Sequence, residues 1–434
     1  MRTLSSQDKA CKSFLESLAS RGGKGDQEVE DRVREILSSI QRGGKEELLS
    51  WARKLDGMPQ ERDTLELDSR EWGDACERLG AQERTALETA ARRIRGFHER
   101  IKAHSWLTVD PEGCLLGQLV QPLKRVGIYV PGGKASYPSS VLMTAIPARV
   151  AGVSEVIMCC PLPWSDPSPA VLAAAKIAGV DRIFRLGGAQ AIVAMAYGVG
   201  EVPRVDKIVG PGNAYVTAAK RVVFGDVDID MLAGPSEILI VADGTVAAGF
   251  AAADMLSQAE HDERASSLLL TPSASYAQEV DRELERRLRK SPRRGIAQEA
   301  LERFGAIIVC SDLDEALEMA AGVAPEHLEL LMERPLEWLS KVRNAGAVFL
   351  GPWSAEAVGD YLAGPSHVLP TGGTARFSSP LGVEDFLRRT SVISVPRGAL
   401  TTLGPKVVGL AEMEGLDAHA ESVRTRMAWL ENNH

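Results

Sequence analysis

From Val126 to Leu350 the chain alternates short apolar runs with helical stretches of small residues, and this rhythm constrains the fold more than any other feature. Val126-Gly-Ile-Tyr-Val130 reads as a buried strand feeding the turn Pro131-Gly-Gly133. Helix is then expected over 140–151, 170–177, 189–197 and 214–224, and strand over 155–160, 182–186 and 207–209. A second round starts at Glu237. It has strands over 238–242, 267–270, 307–310 and 347–350, with helices over 247–258 and 277–289. Such β-α-β-α texture implies parallel sheets covered by helices. Aromatics are only 5% while glycines number 40, so small side chains must do much of the packing.

The flanks read differently. Residues 1 to about 105 are expected to be helical, with Gly43-Gly44 breaking the 27–55 stretch. After Gly373 the pattern loosens into a helix over 383–389, a short strand over 392–395 and one or two helices over 403–430. That tail is too small for a large core of its own and must pack on something else.

The charge of −9 argues against a general nucleic-acid binder. The N-terminal residues lack the apolar stretch of a signal peptide, and no run of 18 apolar residues offers a membrane span. The cysteines (Cys11, Cys76, Cys114, Cys159, Cys160 and Cys310) fit neither a disulfide framework nor a zinc-binding pair of Cys-x-x-Cys motifs. Reduced thiols in a cytoplasmic protein are expected.

Four Gly/Pro loops adjoin strands: 129–133, 186–190, 209–213 and 233–237. Each is either an ordinary tight turn or a place where backbone N–H groups approach an anion. Ligands of open α/β folds bind at the C-terminal sheet edge, which favours the second reading for the first three. Neither G-x-G-x-x-G after a strand nor a P-loop is present. Gln258 and His261 stand three apart on an expected helix. They either begin a metal site or place an imidazole at a helix C-terminus. Glu326-His327 sets a carboxylate beside an imidazole, suited to two proton transfers or merely structural. Asp360, His367, Glu414 and His419 are open in the same way. Cys159-Cys160 lacks a polar activating neighbour, which discounts a thiol nucleophile.

Taken together, these blocks resemble the histidinol dehydrogenase family. The resemblance rests on Ile229-Asp-Met-Leu-Ala-Gly-Pro-Ser-Glu237, Asp254-Met-Leu-Ser-Gln-Ala-Glu-His261, Gly187-Gly-Ala-Gln190, Gly210-Pro-Gly-Asn213 and Pro325-Glu-His327. It extends through Gly359-Asp360 and the stretch from His367 to Ser379. Departures are small: Ser366 stands where Asn is common, and Asp262-Glu263 follow His261 where Pro is frequent.

The resemblance implies oxidation of L-histidinol to L-histidine through L-histidinaldehyde, with two NAD⁺ and one Zn²⁺ per subunit, ending histidine biosynthesis. It assigns Gln258, His261, Asp360 and His419 to zinc. His327 becomes the base for the alcohol, and Glu326 the activator of water. Substrate contacts fall to Ser236, His367 and Glu414, joined by Gln258, His261, His327, Asp360 and His419. Tyr129, Gln190 and Asn213 line the NAD site. The fold it implies is α/β, with two incomplete, Rossmann-like parallel-sheet domains, N-terminal helices and a small, mainly helical tail. Residues 1–120 group with 236–375 as one domain, 121–235 form the second, NAD-side domain, and 376–434 form a tail engaged in dimerisation. A cytoplasmic homodimer with a site shared between subunits follows, with no nucleic-acid or membrane partner. Two alternatives keep the scaffold: a zinc/NAD dehydrogenase of another small polar alcohol, and a non-catalytic binding protein.

Overall fold

The apolar runs become strands because each can bury both of its faces. In the computed structural model, which describes residues 1–19, 27–132 and 136–432, Glu237–Ala242 is buried at every position. Ile238 and Ile240 face one apolar cluster, while Leu239 and Val241 face another. Helices cover both faces, as a parallel sheet requires. The order across this six-stranded sheet is Arg2–Ser5, Gly305–Val309, Ser266–Thr271, Glu237–Ala242, His327–Leu331, Ala347–Leu350, every pair parallel.

A second, five-stranded sheet is also parallel throughout. Its order is Arg182–Arg185, Glu155–Cys160, Arg125–Tyr129, Lys207–Val209, Asp228–Ile229. The α/β expectation of two Rossmann-like sheets therefore holds. The chain winds outward from Arg125–Tyr129 in one direction, then returns to the other side. The switch point thus lies between the C-terminal ends of Arg125–Tyr129 and Lys207–Val209, where such sheets bind ligands.

Helix Gln27–Leu55 packs on helices Gly188–Tyr197 and Ala214–Val223 of the five-stranded sheet. Val33, Ile36, Ile40 and Leu48 join the core there. Gly44 is non-helical (φ 57°), so the sequence break at Gly43-Gly44 is real. By contrast, Arg2–Ser5 joins the other sheet, where a helical N-terminus was expected. Its partner lies about 300 residues away, and no local signal carries that information.

By contacts, the chain divides into two compact units, 1–101 with 123–386, and 102–122 with 387–434. The second holds a three-stranded antiparallel sheet, Leu387–Ser394, Leu115–Pro122, Trp106–Val109, and two mutually packed helices, Arg397–Met413 and Asp417–Asn432. The helix expected over 383–389 is corrected here. Only a short 3₁₀ turn, Val383–Phe386, forms before the strand. Leu387–Ser394 pairs along its whole length with Leu115–Pro122, and that distant partner overrides local preference. Gly133, in the first Gly/Pro loop, lies outside the described residues.

Candidate functional site

In a parallel sheet each helix returns the chain from the C-terminal edge to the N-terminal edge. Helix Ala248–Ala259 does so after strand Glu237–Ala242, and its last turn carries Gln258. Ser236-Glu237 and Glu326-His327 sit where their strands begin, on that same edge. Sheet topology therefore gathers residues 90 positions apart. The 233–237 loop lies at the opposite edge from the usual ligand edge of such sheets.

Main-chain groups hold the pair Glu326-His327. The Glu237 N–H donates to Glu326 Oε2 at 2.9 Å, and His327 Nδ1 donates to the Glu237 carbonyl at 2.9 Å. A carbonyl only accepts, so Nδ1 carries the proton and Nε2 keeps its lone pair. Burial pushes the His327 imidazole down to about 4, against the opposing pull of Asp360 and the Glu237 carbonyl; His261 and His367 depress it further. It is a neutral base at neutral pH. Burial lifts Glu326 well above the usual carboxylate range, despite the Glu237 N–H, and the charges of Glu237, Asp360 and Glu356 add to the rise.

Gln258 is fully buried, and neither atom of its amide has a hydrogen-bond partner among the described residues. Orphaned polar atoms are costly, so this amide is built to meet something. His261 is not on the helix as expected. It stands in the turn beyond, its N–H donating to the Gln258 carbonyl at 3.2 Å, and it is exposed. Ser236 is half-buried, and its carbonyl accepts from the Ser266 N–H at 3.0 Å.

One group escaped the sequence reading. His327 Nε2 lies 3.8 Å from Glu356 Oε1, and atoms of His327, Glu356 and Asp360 all fall within 4.8 Å of one another. Glu356 and Asp360 are four apart on helix Glu356–Tyr361, so both carboxylates share one face, a spacing that was there to be read. Burial, then Asp360, lifts Glu356 to about 8. Beneath it, Glu329 Oε1 accepts the Glu356 N–H at 3.1 Å. His367 donates from Nδ1 to the Asp360 carbonyl at 3.0 Å, and its Nε2 lies 3.2 Å from Ser140 Oγ.

Glu414 and His419 belong to the second unit and are exposed there. The three positions assigned to NAD lie in the first unit. Tyr129 and the loop that begins at Gly210 flank the switch point of the five-stranded sheet. Tyr129 Oη accepts the Gly188 N–H at 3.1 Å. Asn213 caps helix Ala214–Val223, its Oδ1 accepting from the Tyr215 and Val216 N–H groups. Gln190 is buried in the first turn of helix Gly188–Tyr197. Gly210 has φ 116°, and a Cβ there would run into the Tyr129 carbonyl oxygen, so only glycine fits. Cys159 and Cys160 are buried, and burial pushes the Cys160 thiol up to about 12, which leaves them inert.

A model of the histidinol dehydrogenase family matches residues 19–427. Histidinol dehydrogenase of Syntrophotalea carbinolica is 51% identical over 427 residues, covering 98% of this chain and 99% of its own. That of Nitrosomonas europaea is 52% identical with the same coverage. The solved histidinol dehydrogenase of Elizabethkingia anophelis superposes with a TM-score of 0.93 at 34% identity, covering 99% of both chains. Family match, relatives and fold agree along nearly the whole length, and the chain belongs to the histidinol dehydrogenase family, an enzyme of the oxidoreductase class.

Proposed function

We propose that the chain oxidises L-histidinol to L-histidine in two steps, through L-histidinaldehyde, at the edge formed by Ser236, Gln258, Glu326 and His327. The observation that carries this is the neutral His327, its Nδ1 proton spent on the Glu237 carbonyl and its Nε2 turned toward the Glu356/Asp360 carboxylates. NAD⁺ supplies the hydride acceptor for each step and binds along Tyr129, Gln190 and Asn213. His327 Nε2 takes the alcohol proton as hydride leaves the carbinol carbon. Glu326 then takes a proton from water adding to the aldehyde carbon. His327 returns its proton to the aldehyde oxygen as the hydrate forms and takes an O–H proton again as the second hydride leaves, and the acid so formed ionises to the carboxylate. A carboxyl lifted from its ordinary range by burial is tuned toward that task.

The buried, unpartnered Gln258 amide, three residues before His261, together with the Asp360 carboxylate in its cluster with His327 and Glu356, offers the N and O donors that suit a zinc ion. Gln258, His261, Asp360 and His419 would hold it. Zinc held there would supply a Lewis acid able to anchor the imidazole and amine of the substrate. Ser236, His367 and Glu414 complete the substrate contacts. Six free cysteines, five of them buried, support a cytoplasmic setting. No helix among the described residues is long and apolar enough to cross a membrane.

The test is the yield of NADH per L-histidinol consumed, with zinc and after chelation. About two NADH and L-histidine are expected, as a four-electron oxidation demands, with activity lost on chelation and restored by zinc. One NADH with released aldehyde, or no turnover by the folded zinc-loaded protein, would sink the reading.

We further propose a homodimer in which Glu414 and His419 serve the site of a second copy. A His327→Ala chain and a His419→Ala chain, each inactive alone, are then expected to regain up to about a quarter of wild-type activity when co-refolded, because one of the two sites in each heterodimer is intact. Mixtures that stay dead would reject sharing.

A further inference from the structure

Asp56, just past the end of helix Gln27–Leu55, takes no part in the chemistry above, yet it grips the loop that leads to Gln190. Its Oδ1 accepts the Gly187 N–H at 3.0 Å, and its Oδ2 accepts from Gln190 Nε2 at 2.9 Å. Its own carbonyl accepts the Trp164 indole N–H at 3.1 Å, which ties the segment after strand Glu155–Cys160 to the same helix end. The approach is so close that a Cβ at Gly187 would stand 2.7 Å from Asp56 Oδ1 and 2.7 Å from Pro161 Cβ.

The polarity of this contact has a consequence. An ionised carboxylate has only acceptors. Gln190 must therefore turn its NH₂ toward Asp56, which leaves its oxygen as the group on offer. That oxygen is buried and has no partner among the described residues, on a side chain 1% exposed. Burial pushes the Asp56 carboxyl up to about 6, against the pull of Gln190 and Gly187, so it stays ionised in mildly alkaline solution.

We propose that Asp56 is a positioning residue for the dinucleotide: it pins the Gly187-Gly188 loop and fixes the Gln190 amide so that the site presents an acceptor to an N–H or O–H donor of NAD⁺. This rests on the reading that Tyr129, Gln190 and Asn213 line the cofactor site.

The experiment measures NAD⁺ dissociation constants by calorimetry at about pH 8, in the absence of substrate, together with melting temperatures. Asp56→Asn keeps the size of the side chain and still accepts from the Gly187 N–H. Its new NH₂, however, faces Gln190 and flips that amide, so the site presents a donor instead of an acceptor. Affinity for NAD⁺ is expected to fall about tenfold, the cost of one mismatched buried hydrogen bond. The melting temperature should hardly move, because the substitution also removes a buried charge.

The double variant Asp56→Asn/Gln190→Glu restores the pattern. The amide of residue 56 then donates to one carboxylate oxygen and leaves the other as the acceptor. It is expected to recover most of the affinity, which a merely structural Asp56 would not do. An unchanged dissociation constant in Asp56→Asn, or no recovery in the double variant, overturns the proposal. If Asp56→Asn does not fold, the double variant alone decides, since it keeps every hydrogen bond and one negative charge. Asn213→Ala separates the two levels. If it weakens NAD⁺ while Asp56→Asn does not, Asp56 is wrong and the cofactor site stands. If neither Asn213→Ala nor Tyr129→Phe weakens NAD⁺, the cofactor reading itself falls, and this inference with it.

Discussion

A His327→Asn enzyme is expected to fold normally, bind L-histidinol within severalfold of the wild-type KM, and lose about 10³-fold in kcat, the usual worth of a positioned general base. Asparagine can keep the structural half of the histidine. Its NH₂ replaces Nδ1–H as donor to the Glu237 carbonyl, now met at 2.9 Å. It cannot keep the other half, because nothing replaces the Nε2 lone pair that takes the alcohol proton. The neutral state of His327 at pH 7 follows from burial, which pushes it to about 4. The same shift has a stability cost at low pH. A folded-state value below the unfolded one means the unfolded chain binds more protons as pH falls through the range between them. The stabilisation from neutral, buried His327 is present above about 6.5, the unfolded value, and lost as pH falls toward 4. His327→Asn should therefore also flatten that part of the acid unfolding curve, read by calorimetry between about pH 6.5 and pH 4. An Asn variant that turns over at the wild-type rate would remove His327 from the base role.

Legibility in the sequence tracks the reach of the causes. The central strands could be read because their burial is written locally, as in Ile238–Ala242 or Glu155–Cys160. Strand His327–Leu331 was missed since Glu329 interrupts its apolar run. Glu329 is nonetheless buried, its Oε1 bound to the Glu356 N–H. Strands Trp106–Val109 and Leu115–Pro122 contain no buried residue, and Arg2–Ser5 finds its partner about 300 residues on. No window of sequence signals such pairings. The site residues were named through the family resemblance, and spacing alone left every one of them open. Glu356 and Asp56 fell outside it. The first was signalled only by its four-residue spacing to Asp360. The second carries no signal at all, because its meaning lies in a loop more than 130 residues on.

Glu326→Gln should split the two oxidations. The glutamine oxygen can still accept the Glu237 N–H that Glu326 Oε2 meets at 2.9 Å, so the loop and His327 stay in place. Removal of the alcohol proton does not need Glu326, and the first NADH is expected at near the wild-type rate in a single turnover. Water addition does need it. Amide nitrogen cannot take a proton from water, so the second step should slow by about 10²–10⁴-fold, the range general-base losses span. NADH per L-histidinol in a rapid burst then falls from two to one, and added L-histidinaldehyde is oxidised as slowly as the second phase. The burial that lifts Glu326 makes this variant mild for folding, since Gln removes a group that resists ionising there. Loss of both phases in equal measure would mean that Glu326 acts before the aldehyde forms. An unchanged second phase would hand the activation of water to another group of the cluster, with Glu356, 3.8 Å from His327 Nε2, the first to replace by Gln.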